Sequence, residues 1–144
     1  MPNILHRILI KGKPEKVFLA FSTLDGLQQW WTRTAEADGP FKVGMILQFY
    51  FGAEGTDMRI THLVPGKRME WQCVGGPDDW IGTRLFFDVE AHGDKAILHF
   101  GQRGWREEND FYMHCNSRWG YFMLSIKSLI ETGKGTPHPE ALEI

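Results

Sequence analysis

The fold of this chain is indicated most clearly by the segment RWGYFMLSIKSLIETGKG, residues 118–135. It ends a longer segment, from about Glu107 to Thr132, in which large apolar residues recur every three or four positions, and this spacing predicts one helix. Gly133 stands where helices commonly end on a left-handed glycine, and Gly135 and Pro137 reinforce the stop. The apolar stripe of this helix consists of Phe111, Cys115, Trp119, Phe122 or Met123, Ile126 and Ile130.

The helix carries more apolar surface than one buried face needs, because Tyr112, Tyr121 and Leu124 lie beside the stripe. At about 1.5 Å per residue it spans roughly 39 Å, enough to cross a whole sheet. Gly120 costs about 1 kcal/mol of helix stability relative to alanine, and so predicts close approach by another backbone or a bulky ring. Such a helix is expected to touch a curved sheet tightly at one end, leaving space at the other end for side chains or a ligand.

Residues 41–102 show the two-residue alternation of antiparallel strands with one solvated face. A strand at 3–10 precedes them, followed by two short helices that begin near Pro14 and Thr23. The order read along the chain is strand, two helices, five strands, long helix. It predicts an α+β fold in which a curved antiparallel sheet of six or seven strands wraps around the C-terminal helix, with the two short helices after the first strand.

Composition and charge exclude several function classes. With 144 residues and a formal charge of −2, the chain is expected to form one domain at 1–136 with a tail at 137–144, and it has no basic field for nucleic acid. Cys73 and Cys115 are too few for a disulfide framework and fit buried free thiols in a reducing cytoplasm. No apolar run approaches the roughly 20 residues of a membrane span, and no secretory signal opens the chain.

Several motifs in order carry a family resemblance. PEKVF at 14–18, Thr23, Leu27 and the pair Trp30–Trp31 resemble the opening signature of the activator-of-heat-shock-protein-90-ATPase-like family. HLVPGKRMEW at 62–71 resembles its middle strand–turn–strand, and TRLFFDVEAHGDKAILHFGQRGW at 83–105 resembles the hairpin before its last helix. Trp119, Leu129 and Gly133 resemble the closing helix, although Arg118 stands where that family often has glycine. The resemblance covers roughly residues 3–137.

The resemblance implies a helix-grip fold of the START-like (SRPBCC) superfamily, as in the birch-pollen allergen. Members of that superfamily bind lipids, plant hormones or polyketides in the cup between sheet and helix. It therefore implies a hydrophobic small-molecule ligand for this chain, and the aromatic content of 13%, with six Trp and ten Phe, is consistent with a lined pocket or a bulky core. The family name alternatively implies stimulation of a heat-shock protein 90 ATPase, with a chaperone or a second copy of the chain as partner.

Candidate ligand-binding residues come from four places: the short-helix tryptophans, the inward positions of the strands, a loop aromatic and the last helix. Trp30 and Trp31 form a pocket wall or, equally, one packs in the core and the other covers its rim, since adjacent helical residues diverge. Trp80 and Trp105 either guard the mouth or are single exposed aromatics. The candidate set is Trp30, Trp31, Phe49, Phe51, Met58, Trp71, Cys73, Trp80, Phe87, Phe100, Tyr112, Cys115, Trp119 and Met123.

Catalytic and metal chemistry have weaker support in the sequence. The residues His62, His99, His114 and Cys115 lack the local spacing of a zinc site, so no metal and no cofactor is expected. The acidic residues from Glu107 to Asp110 suit a helix N-terminus without any catalytic role. A polyketide cyclase or aromatase activity is the third hypothesis, after ligand binding and chaperone interaction. Its polar groups would have to come from Tyr112, Asn116, His99 and Arg84.

Overall fold

A long C-terminal helix lies across one face of a seven-stranded antiparallel sheet whose strand order is β1-β7-β6-β5-β4-β3-β2. The structure, a computed structural model, describes all 144 residues. The predicted α+β architecture, with a curved sheet around the last helix and two short helices after the first strand, is confirmed. The elements are β1 (Asn3–Ile10), α1 (Pro14–Ser22), α2 (Leu24–Trp30), β2 (Ala35–Glu36), β3 (Ile46–Phe51), β4 (Glu54–Val64), β5 (Arg68–Gly75), β6 (Arg84–His92), β7 (Lys95–Arg103) and α3 (Asp110–Thr132).

The short strand β2 was not predicted from the sequence pattern. β2 has two residues, and they pair with β3 through Ala35 opposite Phe49 and Glu36 opposite Gln48. A strand of two residues cannot show an alternation. The sequence therefore predicted five strands between the short helices and α3, where the structure has six. The strand extends the sheet edge next to the end of α2, where Trp31 enters the interior.

Side-chain and glycine caps set the helix boundaries. The hydroxyl of Thr23 accepts a hydrogen bond from the Gly26 amide at 3.0 Å, which starts α2 as predicted. The Asn109 side chain accepts from the Tyr112 amide at 2.9 Å, so α3 begins at Asp110 rather than near Glu107. Gly133, at φ 86°, ends α3 in the left-handed conformation. None of the three helices has both the length and the apolar content to cross a membrane.

The close approach expected at Gly120 is not observed. A Cβ at this position would lie 3.5 Å from Cε1 of His6, which is an ordinary van der Waals distance. His6 projects from β1 towards α3, where its Nε2 lies 3.0 Å from Oδ1 of Asn116. A polar contact between β1 and α3 therefore occupies the place where the sequence predicted a tight backbone or ring contact.

The C-terminal segment, residues 133–144, returns across α3 towards α2. His138 pairs in parallel with Thr32, accepting from the Arg33 amide at 3.0 Å and donating its own amide to the Trp31 carbonyl at 2.8 Å. The Thr136 amide donates to Oγ of Ser125 at 2.8 Å, and Pro137 is buried. These bonds fix the position of the His138 side chain beside the interior.

Candidate functional site

Most of the space between sheet and helix is filled by interlocking aromatic rings; we call this region the filled end. The ring centroid of Trp71 lies 5.9 Å from Trp31 and 5.0 Å from Phe87. Phe87 in turn lies 5.1 Å from both Phe21 and Phe100. All five side chains are at most 1% exposed, and their rings pack directly on one another.

At the other end of the cup the rings leave a cavity of about 260 Å³, which we call the open-end cavity. Its walls come from the first half of α3, the β3–β4 hairpin, the loop before β6 and the C-terminal segment. This volume lies just below the range of roughly 300–1,000 Å³ usual for small-molecule sites. The lining residues are Trp31, Phe51, Glu54, Gly55, Thr56, Pro77, Trp80, Phe111, His114, Cys115, Arg118, Trp119, Phe122 and His138.

Five of the fourteen candidate residues line this cavity: Trp31, Phe51, Trp80, Cys115 and Trp119. The other nine do not line it and belong to the packed interior or its border. Tyr112, for example, donates its hydroxyl proton to the Asn3 carbonyl at 2.7 Å. These nine residues are Trp30, Phe49, Met58, Trp71, Cys73, Phe87, Phe100, Tyr112 and Met123.

Of the two adjacent tryptophans, one packs in the core and the other lines the cavity. Trp30 is fully buried and donates its indole N–H to the Ala20 carbonyl at 2.8 Å. Trp31 reaches the cavity and also packs on Trp119, with ring centroids 5.0 Å apart. Trp105 was expected to guard the mouth or to be exposed, but it is completely buried and packs edge-on against Tyr112 at 5.3 Å.

A chain of buried hydrogen bonds holds two cavity walls in place. Trp119 donates its indole N–H to Oε1 of Gln102 at 2.9 Å, and Nε2 of Gln102 donates to the Thr83 hydroxyl at 3.1 Å. The Thr83 hydroxyl donates to the Trp80 carbonyl at 2.6 Å. Because Gln102 and Thr83 are fully buried, these bonds are shielded from water. They fix the Trp119 ring and the backbone at Trp80, whose ring stacks on that of Trp119.

The polar lining of the cavity was largely missed from the sequence. Arg118 lies in the mouth, its guanidinium 5.3 Å from the Phe122 ring and 5.9 Å from the Phe51 ring. Its one sequence signal was its departure from the glycine of the resembling family. His138 gave no signal, because a tail residue reaches the cavity only through the docking of the C-terminal segment.

The environment of Cys115 disfavours the nucleophilic thiolate form of its side chain. Burial raises the pKa of its thiol to about 11, against smaller opposing effects of the Trp80 indole and the Arg118 guanidinium. No three His, Cys, Asp or Glu side chains come together where they could hold a metal ion. None of the four polar residues considered for catalysis, Tyr112, Asn116, His99 and Arg84, lines the cavity.

Comparisons with known proteins agree with this fold. The family described as Activator of Hsp90 ATPase homolog 1-like protein matches residues 11–131. The solution structure of the Aha1 dimer from Colwellia psychrerythraea is 41% identical, with a TM-score of 0.84, over 94% of this chain and all of that chain. No protein among those with curated functions matches the sequence.

More distant structures share the fold alone. DynU16, from the dynemicin biosynthetic locus, is 17% identical with a TM-score of 0.75, over 92% of this chain and 48% of that chain. SSP2350 from Staphylococcus saprophyticus is 12% identical with a TM-score of 0.77, over 93% of this chain and 95% of that chain. The family match over most of the sequence and the 41% identical relative show that this chain belongs to the activator of Hsp90 ATPase homolog 1-like family, in the helix-grip fold.

Proposed function

We propose that this protein binds a small hydrophobic molecule, aromatic or lipid-like, in the open-end cavity between the sheet and α3. The observation that supports this most strongly is a cavity of about 260 Å³ walled by large aromatic side chains. Apolar walls with a few polar groups are typical of small-molecule sites. The proposal involves no cofactor and no catalytic step.

Preorganisation of the walls favours binding. The Trp119 indole is held by a buried hydrogen bond to Gln102, and the Trp80 ring stacks on it above a hydrogen-bonded backbone, so a ligand does not have to order them. The gain from removing apolar surface from water is about 25 cal/mol per Å². For a molecule small enough for this cavity we expect a Kd between about 1 μM and 1 mM, corresponding to roughly 4–8 kcal/mol.

Native mass spectrometry of freshly purified protein tests the proposal without any assumption about the ligand. We expect the native protein to have a reproducible mass above that of the bare chain. Denaturation should release the bound molecule that accounts for the difference, and this molecule should be apolar. The same preparation, stripped and titrated with 2-naphthalenemethanol in a calorimeter, should show saturable binding with one site per chain.

A blocking variant locates the site. Cys115→Phe places a ring into the cavity, since the Cys115 side chain is buried and forms part of its lining. Met113→Phe is the matched control on the same helix, because Met113 is 56% exposed and does not line the cavity. With both variants folded by circular dichroism, loss of binding only in Cys115→Phe supports the proposal; equal binding to both contradicts it.

A second candidate function is stimulation of an Hsp90-type ATPase. It is favoured by the description of the matching family and by the name of the 41% identical Colwellia protein. The test is the ATPase turnover of an Hsp90 chaperone with and without saturating amounts of this protein. An increase supports the interaction, and unchanged turnover removes it.

Self-association is part of the same second proposal, because the Colwellia relative is described as a dimer. Light scattering after size exclusion measures the mass of the particle directly. Twice the chain mass of 16.6 kDa at micromolar concentration supports a homodimer, and a single chain mass contradicts it.

A cytoplasmic location, in keeping with two unpaired cysteines, belongs to the proposal as well.

A further inference from the structure

We propose that the ligand of the open-end cavity is an apolar molecule that carries a carboxylate, and that Arg118 holds this carboxylate at the mouth. The inference rests on the proposed function, since it names the chemical class of the ligand for the same cavity. It is carried by the position of one guanidinium and by the charges around it.

Arg118 is half-buried at the cavity rim, between two aromatic rings. Its guanidinium carbon lies 5.3 Å from the Phe122 centroid and 5.9 Å from the Phe51 centroid. The side chain forms no ion pair and donates no hydrogen bond within the protein. The rings therefore orient the group and remove part of its water, while its five N–H donors remain without a protein acceptor.

The charges lining the cavity are arranged to accept an anion. Arg118 is the one permanent cation of the lining, and His114 and His138 are the other basic groups. Neither histidine is paired with a carboxylate. The single acid of the lining is Glu54, which is exposed in the β3–β4 hairpin and makes no ion pair. By contrast, Arg68 on the outer face of the sheet is paired with both Glu70 and Asp88.

A carboxylate matches this site in shape as well as in charge. Guanidinium and carboxylate are planar and form two parallel hydrogen bonds, which are stronger than bonds between neutral groups. The cavity behind Arg118 is apolar, with Trp31, Trp80 and Trp119 as its walls, so the remainder of the ligand should be a ring or short chain. A molecule with one apolar body and one acid group matches both the apolar cavity and the guanidinium of Arg118.

The test compares two probes of equal shape, 2-naphthoate and 2-naphthamide, by calorimetric titration at about pH 7.5, where the acid is ionised. We expect 2-naphthoate to bind about tenfold or more tightly than the neutral amide, because only the acid gains a charge-assisted pair with Arg118. Raising the salt from about 0.05 to about 0.5 M should weaken naphthoate binding and leave naphthamide binding nearly unchanged.

Variants identify the group responsible. Arg118→Gln should lower the affinity for 2-naphthoate about tenfold and that for 2-naphthamide less than about twofold. Arg118→Lys keeps the charge without the planar fork and should fall in between. Arg106→Gln is the matched control, because Arg106 is exposed just before α3 and does not line the cavity; it should bind both probes like the wild type.

The outcomes separate the two proposals. Binding of neither probe to the wild type would overturn the proposed function together with this inference. Equal affinities for the acid and the amide, or an Arg118→Gln variant that weakens both probes equally, would overturn only the inference. The wild-type comparison and the salt dependence decide the matter even if Arg118→Gln does not fold.

Discussion

The two ends of the cup use the same kind of side chain to different effect. At the filled end, Trp71 and Phe87 are surrounded by other rings at centroid distances of 5.0–6.0 Å and are fully buried. At the open-end cavity, Trp80 and Trp119 stack on each other with centroids 6.1 Å apart, and both side chains also form part of the cavity wall. The difference lies in what faces each ring across the cup, and not in the type of residue.

The two ends also differ in how the sheet is connected to the rings. At the open end, Gln102 accepts a hydrogen bond from the Trp119 indole, and the Thr83 hydroxyl donates one to the Trp80 backbone carbonyl. The loop before β6 and the C-terminal segment contribute further walls. At the filled end no such polar link connects the sheet to the rings, and Phe21 and Phe100 close onto Phe87.

The largest effect is expected from truncating a ring at the filled end. Trp71→Ala should lower the free energy of unfolding by about 3–5 kcal/mol, because it removes a completely buried side chain and leaves a cavity. Phe111→Ala at the open-end cavity, where the ring is only half-buried, should cost at most about half as much. Urea denaturation of both variants provides the measurement, and equal losses would contradict the division into two ends.

The next prediction concerns the reactivity of the Cys115 thiol, which should be lower than that of a solvent-accessible cysteine. Burial raises the pKa of Cys115 to about 11, so below pH 9 its thiolate should be about 100-fold less abundant than that of an ordinary cysteine. Alkylation by iodoacetamide, followed by peptide mass mapping, should be correspondingly slow in the native protein. The rate should rise about tenfold per pH unit without a plateau below pH 10.

The denatured protein in urea is the control for this experiment, since both cysteines should then react at the ordinary rate. A native rate that levels off near pH 8.5 would show that Cys115 is more exposed to water than the structure places it. Cys73, whose Sγ lies 3.5 Å from the Thr56 hydroxyl, also has a raised pKa through burial and should be slow as well.

A smaller effect tests the buried hydrogen bonds of Gln102 at the open-end cavity. Gln102→Leu should lower the free energy of unfolding by about 1–3 kcal/mol, because the indole N–H of Trp119 and the Thr83 hydroxyl lose a buried partner. Gln72→Leu on β5 is the control, since Gln72 is only half-buried and makes no side-chain hydrogen bond. Urea midpoints check both, and a neutral Gln102→Leu would show that the buried chain does not hold the walls.

The sequence was sufficient for the fold because the fold depends on local periodicity. The four-residue repeat of α3 and the alternation of the strands each require a particular face to be buried, whatever lies opposite. The two-residue β2 has no period to read, and its pairing with β3 becomes visible only in the folded chain.

The site was less accessible from the sequence, for a physical reason. Alternation identified Phe49, Trp71 and Phe87 as inward residues, but it contains no information about which rings meet across the cup. Arg118 and His138 reach the cavity through helix rotation and through docking of the C-terminal segment. Both are tertiary arrangements that a one-dimensional pattern does not encode.

The smallest expected effect concerns α3, the helix that runs past both ends. Gly120→Ala should raise the free energy of unfolding by about 0.4–1 kcal/mol, because the new Cβ meets only Cε1 of His6 at 3.5 Å and the unfolded chain loses freedom. Gly26→Ala in α2 is the opposite control and should destabilise, since its Cβ would collide with the Ala20 carbonyl. A destabilising Gly120→Ala would mean that α3 and β1 lie closer together.

The most direct test of the central claim uses the six tryptophans as internal reporters. We would record the six indole N–H signals by ¹⁵N NMR during titration with 2-naphthoate, assigning them with single Trp→Phe variants. We expect saturable shifts at Trp80 and Trp119, a smaller one at Trp31, and almost none at Trp30 and Trp105. Six unchanged signals at saturating naphthoate, or shifts at Trp30 and Trp105 as large as those at Trp80 and Trp119, would contradict this expectation.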